Sequence, residues 1–297
     1  MTNLETGVYN YIIVIALLEA LMKKIITALC VASIGASLFA YDIASEFQVK
    51  GAAKSVTRTD FSVVSKFGEY FRTPSTKIVY TLDGSGKTVE SSELTARDSV
   101  INKIKNTYDA SGNLTELNGF DGDGAQLWHS VVTYKNGVKN DISEYGKDNV
   151  LKTKTIYGYA DSKLSEETLY NSEGVLVEKT VYKYDDKKRL STVDIYFDDG
   201  TLFQEKQITY NDSGKKDTVS YFNARGVLTS KCVFRYAANG SLNEVTTYGQ
   251  DNQTTSRQLV KYDSNGNITR ITTYSVARKF GTTVNEMTEM SEYAYAY

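Results

Sequence analysis

Tyr108-Asp109-Ala110-Ser111-Gly112-Asn113-Leu114 and Tyr262-Asp263-Ser264-Asn265-Gly266-Asn267-Ile268 are nearly one heptapeptide written twice in the same chain. Tyr170-Asn171-Ser172-Glu173-Gly174, Tyr210-Asn211-Asp212-Ser213-Gly214 and Phe222-Asn223-Ala224-Arg225-Gly226 follow the same plan. The chemistry is that of a turn. Asp or Asn opens a type I turn by bonding its side chain to the backbone ahead, and the Gly accepts a positive φ that a β-carbon would penalise. Tyr134-Lys135-Asn136-Gly137 is a shorter version suited to a two-residue hairpin loop. Tyr184-Asp185-Asp186-Lys187-Lys188 has no Gly, so a strained or looser turn is expected there.

Between the turns lie runs rich in Val, Ile, Thr and Tyr, the residues that fit a pleated surface. In the run from Val175 to Tyr184, Leu176, Thr180, Tyr182 and Tyr184 share one face, while Val175, Val177, Val181 and the two lysines share the other. Turns this short join antiparallel neighbours. A tyrosine series at Tyr108, Tyr134, Tyr159, Tyr184, Tyr210, Tyr236 and Tyr262 returns about every 26 residues, the mark of a repeat architecture. A second aromatic series runs out of phase through Phe120, Tyr145, Tyr170, Tyr196, Tyr221, Tyr248 and Tyr274.

The expected fold is all-β. It is an antiparallel up-and-down meander of tandem double-strand repeats, roughly fourteen to sixteen strands of about 7–10 residues, as an extended or curled single sheet. Charged residues fall mid-strand on both faces, as at Glu178-Lys179 and Glu205-Lys206. A sheet buried in a thick core would not tolerate them. Stability is then a sum of cross-strand pairs at roughly 0.2–1 kcal/mol each. The one proline, Pro74, precedes the repeats, as central strands require.

Residues 22–40 hold Met22-Lys23-Lys24, an apolar run that includes Cys30, and a small residue at Ala40, which is the pattern of a signal peptide. Residues 1–21 read as an over-called N-terminal extension. Residues 41–79 are expected to form N-terminal capping strands, 80–280 the hairpin repeat array, and 281–297 a C-terminal capping strand. The mature chain is thus exported, to the periplasm, the outer membrane or the exterior. It retains Cys232 alone, which excludes an intrachain disulfide. A net charge of −2 gives no footprint for nucleic acid. No apolar stretch beyond the leader is long enough to span a bilayer as a helix.

Catalytic chemistry is not expected. His129, the only histidine, and Cys232 stand several repeats apart, and repeats touch mainly their neighbours. Cys232 shares parity with Leu228, Phe234 and Tyr236, which reads as a packed strand thiol. Phe120-Asp121-Gly122-Asp123-Gly124 lacks the distal Glu of a calcium loop and sits in a turn slot. Ser85-Gly86-Lys87-Thr88 lacks the first Gly of a phosphate loop. No cofactor or metal is expected.

The Tyr-Asp-x-x-Gly units at Tyr108 and Tyr262 resemble YD repeats of the RHS type, and the Tyr-x-x-x-Gly units are also similar to MORN-variant repeats. The resemblance covers about residues 80–274. It implies hairpin sheets curled into shells or stalks on secreted and surface proteins, with carbohydrate or protein partners. The chain lacks the toxin-like domain and self-cleaving motif of RHS proteins.

The 23 tyrosines are the functional clue. Aromatic rows with polar tips stack on sugars or anchor proteins. The candidate interaction face is Trp128, Tyr134, Tyr159, Tyr184, Tyr210, Tyr236 and Tyr262, on a non-catalytic β-repeat scaffold that binds a protein or carbohydrate at the cell surface. The alternative is an outer-membrane β-barrel, motivated by the terminal Tyr293-Ala294-Tyr295-Ala296-Tyr297 and opposed by charges on both strand parities.

Overall fold

The computed structural model describes residue 42, residues 49–279 and residues 281–297. The extension at 1–21 and the signal peptide at 22–40 lie outside the described residues.

The chain forms β1 (Ser55–Lys66), β2 (Glu69–Leu82), β3 (Thr88–Thr95), β4 (Val100–Tyr108), β5 (Leu114–Asp121) and β6 (Gln126–Lys135). It continues through β7 (Val138–Gly146), β8 (Leu151–Ala160), β9 (Lys163–Asn171), β10 (Leu176–Tyr184), β11 (Leu190–Phe197) and β12 (Leu202–Tyr210). It ends with β13 (Lys216–Asn223), β14 (Leu228–Tyr236), β15 (Leu242–Gly249), β16 (Thr254–Tyr262), β17 (Ile268–Lys279) and β18 (Thr282–Ala296). Each strand pairs antiparallel with the next, and β1 also pairs with β18, from Ser55↔Ala296 to Ser62↔Glu289. The result is an 18-stranded sheet closed into a barrel.

Of the two sheets expected, the curled one forms, and it has more strands than the repeat count alone implied. The segments expected as caps supply β1, most of β2, and β18. β1, β2 and β18 are the seam, and closure leaves no edge to protect.

Closure staggers the strands. From Lys105 the ladder runs to Asn118 and on to His129. His129 lies about two residues lower, relative to Tyr134, than Lys105 does relative to Tyr108; such a stagger per strand pair goes with a strand tilt of about 35–45°. At strand spacings of about 4.8 Å, the backbone diameter is roughly 35 Å and the wall roughly 25 Å tall. The turns that follow β2, β4, β6 and the later even strands form the upper rim.

The two strand faces differ as the parity reading expected. Side chains converge on a concave wall and splay on a convex one, so the more buried parity is the inner one. It holds Val219 and Val245 at 0% exposure, with Cys232, Phe234, Ile78, Val132 and Ile142. The outer wall carries cross-strand ion pairs: Lys103–Glu90 (3.2 Å), Lys154–Asp141 (3.5 Å), Lys179–Glu166 (2.6 Å), Lys183–Asp194 (2.7 Å), Arg257–Glu244 (2.8 Å) and Arg270–Glu292 (2.6 Å). Arg257, through its hydrogen bond, holds Glu244 below the ordinary carboxylate range.

The second aromatic series needs one correction. Phe222, not Tyr221, is its member. Phe222 pairs with Leu228 across the ladder irregularity, as Tyr196 does with Leu202 and Tyr248 with Thr254. Tyr221 lies one residue earlier, on the inner wall opposite Lys206.

The turn chemistry is as read. Gly112 N–H donates to the Asp109 carbonyl (2.9 Å), and Asn113 N–H donates to the Asp109 carboxylate (2.8 Å). Asp121 plays the same part for Gly124 and Ala125, so the Asp-Gly-Asp-Gly segment is a turn. The Gly-less turn keeps the same bonds, Lys188 N–H to Asp185 O at 2.7 Å, with Lys188 forced to φ 63°. It is strained rather than loose. Lys188→Gly is therefore expected to stabilise the barrel by about 1 kcal/mol, read as a higher denaturant midpoint at unchanged m-value.

Candidate functional site

Each even strand from β4 to β16 ends at, or one residue beyond, a tyrosine of the first series, on the inner side of the upper rim. The stagger leaves a backbone carbonyl beyond the last rung of the neighbouring ladder, and the phenol reaches it. Tyr108 donates to Thr88 O (2.8 Å), Tyr134 to Leu114 O (3.0 Å), Tyr184 to Leu164 O (2.8 Å), Tyr210 to Leu190 O (2.8 Å) and Tyr236 to Lys216 O (2.9 Å). Tyr262 bonds to the backbone of Leu242. At the seam, Tyr295 donates to Ile268 O (2.7 Å).

A cation lies over several of these rings: Lys87 on Tyr108, Lys163 on Tyr184, Arg189 on Tyr210 and Lys215 on Tyr236, at 4.2 to 5.3 Å from the centroids. Lys87 also donates to Gly112 O (2.8 Å) and Lys215 to Gly240 O (2.6 Å), tying one rim turn to the next. Lys163 does the same to Lys188 O. Most of the candidate tyrosine face thus has its hydroxyls committed to backbone and some of its ring faces covered.

Tyr159 is the exception. It is 37% exposed, and among the described residues its hydroxyl has no hydrogen-bond partner. It sits where the rim changes. The turns after β6 and β8 are two-residue loops, closed by Lys135↔Val138 and Ala160↔Lys163. Asn136, Gly137, Asp161 and Ser162 all have positive φ, as a primed hairpin turn demands. The other internal upper turns are longer, so the upper rim has a notch over β6 to β9.

Below the notch, three inner-wall side chains meet across β8, β9 and β10. Tyr157 is the ladder partner of Glu167, and Thr180 faces Glu167 from the other side. Tyr182 shares a hydrogen bond with Glu167. Burial first, then the Glu167 carboxylate, pushes both the Tyr157 and Tyr182 phenols well above the ordinary tyrosine range. Tyr134 and Tyr159 are near enough to act on Tyr157 electrostatically, and Lys139 lies 5.1 Å over its ring. The cluster of Tyr134, Tyr157, Tyr159, Tyr182 and Glu167 therefore offers ring faces, a carboxylate and an uncommitted hydroxyl, all half-exposed or exposed.

Sequence reasoning named Tyr134, Tyr159 and Tyr184 but missed Tyr157, Tyr182 and Glu167. The alternation Tyr157-Gly158-Tyr159 and Tyr182-Lys183-Tyr184 was the available signal, because it sets two tyrosines on one strand face. Trp128 is not part of this group. It lies at the lower end of β6, where its ring covers Gly119; a β-carbon there would sit 2.2 Å from ring atoms. His129 is on the outer wall, stacked on Tyr145 at 4.9 Å. Cys232 is buried against Thr247, and burial raises its thiol.

No family profile and no curated protein sequence matches the chain. Among solved structures, a porin-like protein from Bacteroides uniformis is similar at 10% identity and TM-score 0.47, covering 84% of this chain and 100% of that one. A porin-like protein from Bacteroides vulgatus is similar at 13% identity and TM-score 0.36, covering 67% and 94%. The Tc holotoxin pore of Photorhabdus luminescens is similar at 14% identity and TM-score 0.32, covering 73% of this chain and 12% of that one.

Two outcomes check this geometry. Gly119→Ala is expected to displace the only tryptophan and red-shift its emission. The raised tyrosines favour the neutral form in the folded state, so their contribution is full below about pH 10, the unfolded tyrosine value, and is lost as pH rises above it. Thermal midpoints are expected to fall more steeply above that pH for the wild type than for Tyr157→Phe.

Proposed function

We propose that the chain is a non-catalytic barrel of the cell envelope or its exterior that binds a glycan, by way of the tyrosine cluster beneath the notch. The observation that carries this is Tyr159, the rim tyrosine whose hydroxyl is uncommitted, beside the Tyr157–Glu167–Tyr182 group. Aromatic faces stack on the apolar faces of sugar rings, and a carboxylate accepts from sugar hydroxyls. The expected leader at 22–40 supports export, and YD-type hairpins are the reading of the repeats that fits this role. A protein segment entering through the notch is the alternative ligand.

The outer-membrane reading has two observations in its favour, a closed wall roughly 25 Å tall and the second aromatic series facing outward around the lower rim. The outer surface favours water. Four of the cross-strand ion pairs, those of Lys103, Lys154, Lys179 and Arg257, lie near mid-height on the convex face, where Lys or Arg in lipid costs about 2–4 kcal/mol each.

A glycan array followed by calorimetry tests the binding proposal. Tyr159→Ala and Glu167→Gln are each expected to weaken the best glycan about tenfold or more, while Tyr248→Ser on the outer wall leaves it unchanged. An array without a hit, or a hit indifferent to both variants, overturns the proposal. Sedimentation separates the two locations of the barrel: a monodisperse particle in detergent-free buffer is expected, and a detergent requirement would favour the membrane.

A further inference from the structure

Four strands break the barrel's proportions. The repeat strands span 8 to 10 residues. By contrast, β1 and β17 have 12, β2 has 14 and β18 has 15. The excess is all at the lower rim. β2 pairs with β3 only from Thr76 upward, yet β1 and β2 stay paired down to Lys66↔Glu69. β1 leaves β18 at Ser62↔Glu289, while β17 and β18 continue to Lys279↔Thr282. The seam thus projects as two adjacent hairpins, roughly 15 Å below the neighbouring turns. Tyr70 holds them together, donating to Asn285 O (3.2 Å) and accepting from Met287 N–H (3.2 Å).

The β1–β2 hairpin has an apolar end. Phe67 at its tip is 104% exposed and held at φ 55°. Val64 and Phe71, ladder partners, are exposed beside it. A phenylalanine in the left-handed region costs about 1–2 kcal/mol, and fully exposed among the described residues it returns nothing to stability. Lys66 and Arg72 flank the tip, with Glu69 the ladder partner of Lys66; Arg72 also pairs with Glu292 (3.0 Å). The sequence repeats these three letters, Lys279-Phe280-Gly281 as against Lys66-Phe67-Gly68.

We propose that this hairpin end is a membrane-surface anchor that seats Phe67 and Phe71 at the lipid headgroup boundary of an anionic bilayer. The tip is convex, so it offers no groove to a partner side chain, and a fluid interface accepts such a shape. Aromatic rings with lysine and arginine just behind them match the apolar boundary and the anionic headgroups in that order. The charged outer wall keeps the barrel in water, so the attachment is peripheral. It lies at the end opposite the notch and is independent of the glycan reading.

The full chain carries an apolar N-terminal run, so tip binding is read as a difference between full-length proteins. With vesicles of phosphatidylcholine and phosphatidylglycerol, Phe67→Ser/Phe71→Ser is expected to lower affinity about tenfold or more relative to wild type. Lys66→Glu is expected to weaken binding to these vesicles but not to phosphatidylcholine alone. In a Trp128→Phe background, Phe67→Trp emission is expected to shift blue and be quenched by brominated phosphatidylcholine. Exposed positions keep these variants folded, which circular dichroism checks. Equal vesicle affinity of wild type and double variant, or a tryptophan untouched by brominated lipid, overturns the proposal. So does lipid-free self-association that the double variant abolishes, which would make the tip a contact between copies of this chain.

Discussion

A sheet can close only if its strands are staggered, and each step of the stagger strands a carbonyl at the rim. In this chain the tyrosine hydroxyl takes that carbonyl. Tyr184 on Leu164 O and Tyr210 on Leu190 O are the same bond one repeat apart, both 2.8 Å long. A neutral hydrogen bond contributes about 1 kcal/mol, and the larger gain is that a semi-buried carbonyl is not left unsatisfied. The position about 26 residues apart is tyrosine because no shorter side chain spans the step and no apolar one could donate at its end. The lysines and arginines over the rings then link each rim turn to its neighbour.

The wall between the rims is thin, and its stability is local. No thick core forms. Val219 and Val245 are buried by strand neighbours, while the opposite face is zipped by alternating charges such as Lys183 with Asp194. Exposed ion pairs contribute little singly. Asp194 is itself buried, so its partner matters more than a surface pair's would. This explains how charge can sit mid-strand on the outer parity without breaking the sheet.

Most of the fold was legible from the repeated heptapeptide. Asp or Asn at the turn start and Gly at its end fix a hairpin, and hairpins in series fix an antiparallel meander. The parity of β10 and the packed Cys232 followed from alternation alone. Closure was not legible, because it depends on β1 and β18, whose sequences carry no copy of the heptapeptide and whose register spans the whole chain. The candidate site was half legible. The rim tyrosines announce themselves by period, but period also marks them as structural. What distinguishes Tyr159 is a missing bond beside two short turns. The partners Tyr157, Glu167 and Tyr182 meet through pairings of β8 with β9 and β9 with β10. Tyr221 was placed in the wrong series because two aromatics stand side by side, and only the ladder shows which one faces out.

The constant step between hairpins has a consequence for how such a molecule changes over evolutionary time. Because every repeat hands the next the same offset and the same waiting carbonyl, a duplicated or lost hairpin leaves the clasp formed by β1 and β18 able to mate. One more hairpin, two strands, would lengthen the circumference by about 12 Å and widen the bore by about 4 Å. The diameter of the vessel is therefore a copy number, adjustable in whole units by unequal recombination, with no residue in the wall needing to mutate.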